Sequence, residues 1–196
     1  MYEFLKGSFE EITPSYIVVN CNNVGYRVEI SLTSYSFFKD KKEGKVYTHF
    51  VVREDCQLLY GFATIKEREL FRNLITVSGI GANTARMMLS SLSSEELVKA
   101  IVSEDIKTIN SIKGIGTKTA QRVVIDLKDK LKKMDYSLDS LPDSPLLSNK
   151  TKEEALLALI TLGFNKVIAE KTLDKILKTN NDITVESLIK EALKRL

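Results

Sequence analysis

Apolar positions recur at two different spacings along this chain, and the change falls between Phe62 and Ile65. Before it come short runs rich in β-branched and aromatic residues, at 4–11, 16–20, 26–30, 46–52 and 57–62, punctuated by Pro14-Ser15 and Asn22-Asn23. Branched and flat side chains pack well on a pleated surface, so each run predicts a strand. Five short strands with a less regular stretch at 32–42 suit a small closed or partly closed barrel. After Ile65 the apolar residues fall three and four apart, the spacing that lines one face of a helix. Leu70, Phe71, Leu74 and Ile75 make one such face, Ala85, Met88 and Leu89 the next, and Ala120, Val123, Val124 and Leu127 another. Lys66, Glu67, Arg68 and Glu69 open the first helix, and Ser93 with Glu96 has the form of a capping box for a linker helix.

The pattern then breaks. Residues 134–150 carry Asp135, Ser137, Asp139, Ser140, Pro142, Asp143, Ser144, Pro145, Ser148 and Asn149, the composition of an exposed, extended tether. Helical spacing resumes in three segments: Ala155, Leu156, Leu159, Ile160; Ala169, Leu173, Ile176, Leu177; and Val185, Leu188, Ile189, Ala192, Leu193. Thr151 with Glu154 fits the start of the first, and Gly163-Phe164 its end. The expected class is therefore α+β multidomain: a β-barrel at 1–64, a helical domain at 65–134, a flexible linker at 135–150 and a C-terminal three-helix bundle at 151–196.

One short pattern occurs twice in the helical region. Ser78-Gly79-Ile80-Gly81-Ala82-Asn83-Thr84-Ala85 aligns without a gap on Lys113-Gly114-Ile115-Gly116-Thr117-Lys118-Thr119-Ala120. Each copy links two apolar helical segments, so each predicts helix, tight turn, helix. Glycines two apart permit positive φ and let backbone N–H groups approach a ligand, while the start of the second helix favours an anion. Lys113, Lys118 and Arg122 stand around the second turn, and Asn83 and Arg86 around the first. The expected phosphate-contacting set is Gly79, Gly81, Asn83, Thr84, Arg86, Gly114, Gly116, Thr117, Lys118, Thr119 and Arg122. Paired glycine turns also serve as plain connectors between helices, which is the alternative at this level. A dinucleotide site is a poor match, because both glycine pairs follow helical rather than strand patterns.

Two Gly-hydrophobic-Gly turns followed by Thr-Ala resemble a tandem helix-hairpin-helix unit, which grips DNA phosphates without reading bases. With Val51-Val52-Arg53-Glu54-Asp55-Cys56-Gln57-Leu58-Leu59-Tyr60-Gly61-Phe62 before it and the helical tail behind it, the chain resembles the RuvA family of Holliday junction branch-migration proteins from end to end. The resemblance implies an OB-fold for the barrel and no catalytic residue, cofactor or metal. It also implies a homotetramer on four-way junction DNA, acting in recombination, repair and the SOS response to DNA damage. A RuvB-type motor ATPase would dock on 151–196, and a RuvC-type junction resolvase is a further partner on the same basis. Glu54 and Asp55 would form an acidic pin at the junction centre, where negative charge repels phosphates and disfavours continuous duplex. The family pattern carries a basic residue where Asn83 stands, so the first copy is expected to lean on backbone amides and Arg86.

Composition narrows the remaining choices. Hydrophobic residues make up 43% of 196 residues, enough for real cores. A net charge of +3 does not by itself announce nucleic acid, but 13 Lys and Arg against 9 Asp and Glu at 65–137 put the basic excess in the middle. Cys21 and Cys56 make no disulfide framework and are expected as reduced thiols. No apolar run is long enough for a membrane span, and Glu3 and Lys6 interrupt any signal peptide, so the cytoplasm is the expected compartment. His49 lies in an alternating segment and is expected as a sheet residue. The rival function is a helix-hairpin-helix DNA glycosylase with Lys118 as Schiff-base nucleophile. Its aspartate would have to be Asp135, which falls where helix gives way to tether.

Overall fold

Alternation in the first sixty residues is realised as a closed barrel with strand order β1-β2-β3-β5-β4. The strands are β1 (Phe4–Ile12), β2 (Tyr16–Cys21), β3 (Val24–Ile30), β4 (Glu43–Val52) and β5 (Gln57–Phe62). All neighbours run antiparallel except β3 and β5, which pair in parallel from Val28↔Leu59 to Ile30↔Gly61 and so close the barrel. The computed structural model describes residues 2–133, 147–179 and 183–195. Leu5, Ile17, Val19, Val28, Ile30 and Val46 fill the barrel interior at every second position of their strands. Asn22 and Asn23 take φ of 52° and 66° in the two-residue turn between the paired Cys21 and Val24, a conformation that asparagine tolerates better than most residues.

The stretch expected to be irregular after β3 contains a helix, α1 (Leu32–Phe38). Ser31 caps it by accepting a hydrogen bond from the Ser34 N–H, and Phe38 is buried under the barrel while Leu32 and Phe37 are exposed. Seven residues with one buried large side chain cannot display a helical stripe, which is why the pattern did not reveal it.

Helices α2 (Ile65–Leu74), α3 (Ala82–Ser91), α4 (Ser94–Val102), α5 (Ile106–Asn110) and α6 (Thr117–Lys133) follow. The capping box expected at Ser93 and Glu96 is present. These helices do not pack apart from the barrel. Phe71 of α2 meets the rings of His49, Tyr60 and Phe62 at centroid distances of 5.5, 5.2 and 4.9 Å, so one core runs from the outer barrel wall into α2–α6. Barrel and helices accordingly form a single compact unit, Met1–Ser137.

A buried carboxylate stitches the seam. Glu67, 3% exposed, accepts from the hydroxyls of Ser31 and Ser34 and from the Ala63 N–H at 2.8–3.0 Å, joining α1, the end of β5 and the start of α2. Burial raises its pKa above the usual carboxylate value, and these donors pull the other way. His49 is a half-buried β4 residue as expected, its pKa lowered by burial and by the nearby Arg72 and Arg68.

The second unit, Leu138–Leu196, contains α7 (Leu147–Thr161), α8 (Lys166–Thr179) and α9 (Val185–Leu193) around Ala155, Leu159, Ala169, Leu173, Ile176, Leu188 and Ala192. Helix α7 starts at Leu147, inside the expected linker, so Thr151 is an interior helical residue and not the cap. No apolar stripe marks that first turn, which hid it from periodicity. The rest of the expected linker, 135–146, lies outside the described residues. Among the described residues no helix is long and apolar enough to cross a membrane.

Candidate nucleic-acid interface

The two copies of the motif fold alike. In the first, the Ile80 N–H donates to the Val77 carbonyl at 3.0 Å, Gly79 takes φ 93°, and the Ala85 N–H donates to the Gly81 carbonyl at 2.9 Å. In the second, Ile115 donates to Ile112 at 3.0 Å, Gly114 takes φ 88°, and Ala120 donates to Gly116 at 2.9 Å. Positive φ of this size is the region that glycine enters without strain. Ile80 and Ile115, each between two glycines, are buried at 4% and 5% and anchor their turns in the common core.

The helix starts that follow are built to face an anion. Gly81 caps α3 without a side-chain hydrogen bond, and neither α3 nor α6 has an acidic residue in its first turn. First-turn N–H groups of each helix therefore keep their partial positive charge uncompensated. Gly79, Gly81, Gly114, Gly116, Asn83, Thr117 and Lys118 are exposed, with Thr84 and Thr119 half-buried.

The fold brings the two turns together. A Cβ built on Gly79 would lie 4.0 Å from Thr119 Oγ1, and Arg122 Nη1 donates to the Ser78 carbonyl at 3.4 Å. Helix α6 thus runs beside the first turn as well as starting from the second. Arg86 is placed differently from the expectation. Its Nη1 donates to a Glu29 carboxylate oxygen at 2.7 Å and to the Ser15 carbonyl at 3.0 Å, and its Nη2 to the Asn83 side-chain oxygen at 3.0 Å. The guanidinium is directed to the barrel, onto a Glu29 carboxylate whose other oxygen accepts from Arg27 Nε at 3.1 Å.

Glu54 and Asp55 occupy the β4–β5 tip, closed by the Arg53 N–H donating to the Cys56 carbonyl at 2.9 Å. Both are exposed, and among the described residues neither has a hydrogen-bond or ion-pair partner. The base of this acidic tip adjoins the first turn, since a Cβ on Gly81 would stand 3.8 Å from Arg53 Nη2. Arg53 was not among the expected phosphate ligands. Its place in the sequence, 28 residues before Gly81, carried no signal of that proximity beyond a basic residue next to two acids.

Lys118 stands exposed on the first turn of α6, without the apolar enclosure that activates a lysine as a nucleophile. Asp135, its required partner in a glycosylase, lies outside the described residues. Among the described residues no group of His, Cys, Asp or Glu could hold a metal ion.

Three family models match the chain in succession: the RuvA N terminal domain over residues 1–61, the SAM-like helix-hairpin-helix tandem over 71–129, and the RuvA C-terminal domain over 151–196. Curated relatives named Holliday junction branch migration complex subunit RuvA align along the whole chain. The relative from Christiangramia forsetii is 52% identical over 199 aligned positions and that from Flavobacterium psychrophilum 50% over 196, each covering 100% of both chains. One from Bacteroides fragilis is 46% identical, again over 100% of both. Twin glycine turns, the acidic tip beside them and full-length identity of this order agree: the chain belongs to the RuvA family of Holliday junction branch migration complex subunits.

Proposed function

We propose that this chain is the non-enzymatic DNA-binding subunit of a branch-migration complex, gripping four-way junctions through backbone phosphates while a separate RuvB-type motor ATPase supplies the work. The observation that carries this is the pairing of two equivalent, acid-free helix starts on one face beside an exposed acidic tip. Paired clamps without base-reading side chains hold any sequence by its backbone. Glu54 and Asp55 repel the same phosphates, so continuous duplex is penalised where the strands of a junction can part around the tip. Gly79, Gly81, Asn83, Thr84, Gly114, Gly116, Thr117, Lys118, Thr119 and Arg122 would meet the phosphates.

Labour divides along the chain in this proposal. Residues 1–64 carry the acidic tip, 65–134 the clamps, 135–150 the connection and 151–196 the motor-docking surface. A homotetramer would present the clamps and tips four-fold, as a four-armed substrate requires. Leu157, Leu162, Val167 and Ile168 are 67%, 61%, 58% and 57% exposed across the end of α7 and the start of α8, an apolar surface fit for the motor. A RuvC-type resolvase would act on the same junction, and the cytoplasm is the compartment proposed. The test is the salt dependence of affinity for a mobile-core four-way junction and for linear duplex of the same sequence. Steep dependence, indifference to arm sequence and tighter binding to the junction are expected. A flat salt response would defeat the phosphate-clamp function.

A further inference from the structure

Both hairpins have the same backbone, yet their charges are arranged differently. Around the second turn Lys113, Lys118 and Arg122 are exposed, and among the described residues none has an ion-pair partner. Arg86 is the only charged residue of α3, and it faces the barrel: Glu29, Ser15 and Asn83 together accept three of its hydrogen bonds. Its side chain and that of Glu29 are 23% and 17% exposed, so the pair is shielded enough to hold its geometry in salt. Ser15, in the loop before β2, accepts from the Ile30 N–H at 2.9 Å and so adjoins Glu29 of β3, and the tie fixes the α3 start against these two neighbouring barrel segments.

Two other guanidinium groups approach the first turn. Arg122, from α6, reaches the Ser78 carbonyl, and Arg53, from the base of the acidic tip, lies against Gly81. Both residues are exposed, and neither has a carboxylate partner among the described residues. We infer that Arg86 is a positioning residue, setting the first hairpin at a fixed angle to the barrel and its acidic tip, and that the cations over the first turn's phosphate are Arg53 and Arg122. The first clamp is then composite: amides from its own turn, charge from the barrel and from the second hairpin. Such an arrangement couples grip to shape, because the phosphate is held well only where clamp, tip and neighbouring hairpin are all in register.

This rests on the phosphate-clamp function, and the experiment separates the two. Arg53→Gln, Arg122→Gln, Arg86→Gln and Glu29→Gln are compared with the unaltered full chain, each shown folded by thermal melting, for affinity to junction and duplex over a range of salt. Removing one cation from a phosphate should lower the magnitude of the log–log salt slope by about 0.9. Arg53→Gln and Arg122→Gln should each do so. Arg86→Gln and Glu29→Gln should leave the slope unchanged and narrow the preference for junction over duplex by at least about fivefold, both in the same direction although they change the charge oppositely. A drop of about 0.9 in Arg86→Gln, or an unaltered slope in Arg53→Gln or Arg122→Gln, would each overturn the assignment. An unaltered junction preference in both tie variants would overturn the positioning role. Absence of a salt slope in the unaltered chain would instead remove the underlying clamp.

Discussion

Gly114 sits at φ 88° with no heavy atom within 4 Å of where a Cβ would stand, so space within the chain would admit a side chain that the backbone does not. Gly114→Val should therefore cost about 1–2 kcal/mol in stability through φ alone. Junction affinity should fall further, by about tenfold or more, because the same side chain would occupy the approach of the phosphate. Chemical denaturation and binding titration on one preparation separate these two losses, and equal affinity would show that no ligand comes near the turn. At the tip the expectation has the opposite sign. Glu54 and Asp55 are unpartnered carboxylates at an exposed turn, so Glu54→Gln with Asp55→Asn should leave thermal stability unchanged and tighten binding to linear duplex, since repulsion goes and the clamps remain. Junction and duplex affinities that fell together would contradict this. The places of these residues are legible in the sequence because their geometry is local: a glycine pair before a helix and acids at a strand end need no tertiary information. Arg86 escapes such a reading for the converse reason. Its partners Ser15 and Glu29 are 71 and 57 positions away, and no periodicity links them to it.

At the scale of elements, strand runs and long amphipathic helices announce themselves because each buries one face repeatedly. The run at 57–62 coincides with β5 at both ends, and the core positions of β2 to β4 follow the alternation. Helix α1 stays hidden because too few of its side chains are buried to set a period, and the first turn of α7 because Leu147-Ser148-Asn149-Lys150 carries no apolar spacing. The seam between barrel and helices is equally invisible, being made by single residues from several elements. Glu67 is the clearest case, and it gives the seam a pH dependence. Its pKa is raised in the folded chain, chiefly by burial, so the fold retains a proton over a range in which the unfolded chain has lost it. Its stabilising contribution is then full below the ordinary carboxylate value and is lost as pH rises through the folded value. Glu67→Gln should flatten that portion of the stability–pH curve. It should also lower stability throughout, by about 1–3 kcal/mol, because an amide NH2 must face one of the donors that now meet a carboxylate oxygen. Melting curves from mildly acid to neutral pH provide the check, and parallel curves for the two chains would remove Glu67 as the source.

At the scale of the whole molecule, two compact units with separate cores imply two separable tasks. Among the described residues the two cores are built from separate sets of side chains, so each unit carries its own buried apolar packing. A chain ending at Asp143 should therefore keep the melting temperature of the first unit and bind four-way junctions with unchanged affinity and salt slope. Mixed with its cognate motor ATPase, it should fail to drive branch migration, because the apolar surface on α7 and α8 is gone. Deletion alone leaves open whether that surface or the mere presence of the tail matters, so the companion is Leu162→Glu with Ile168→Glu in the full chain. Both positions are well exposed, which keeps the cost to the bundle small. A charge set into an apolar interface, by contrast, must be desolvated without a partner, which commonly weakens association by several kcal/mol. The doubly substituted chain should thus bind junctions normally and lose motor-driven branch migration nearly as fully as the truncation does. Wild-type branch migration by the truncation would sink the recruiting role of the tail. Wild-type branch migration by the substituted chain alone would move the docking surface elsewhere on the bundle.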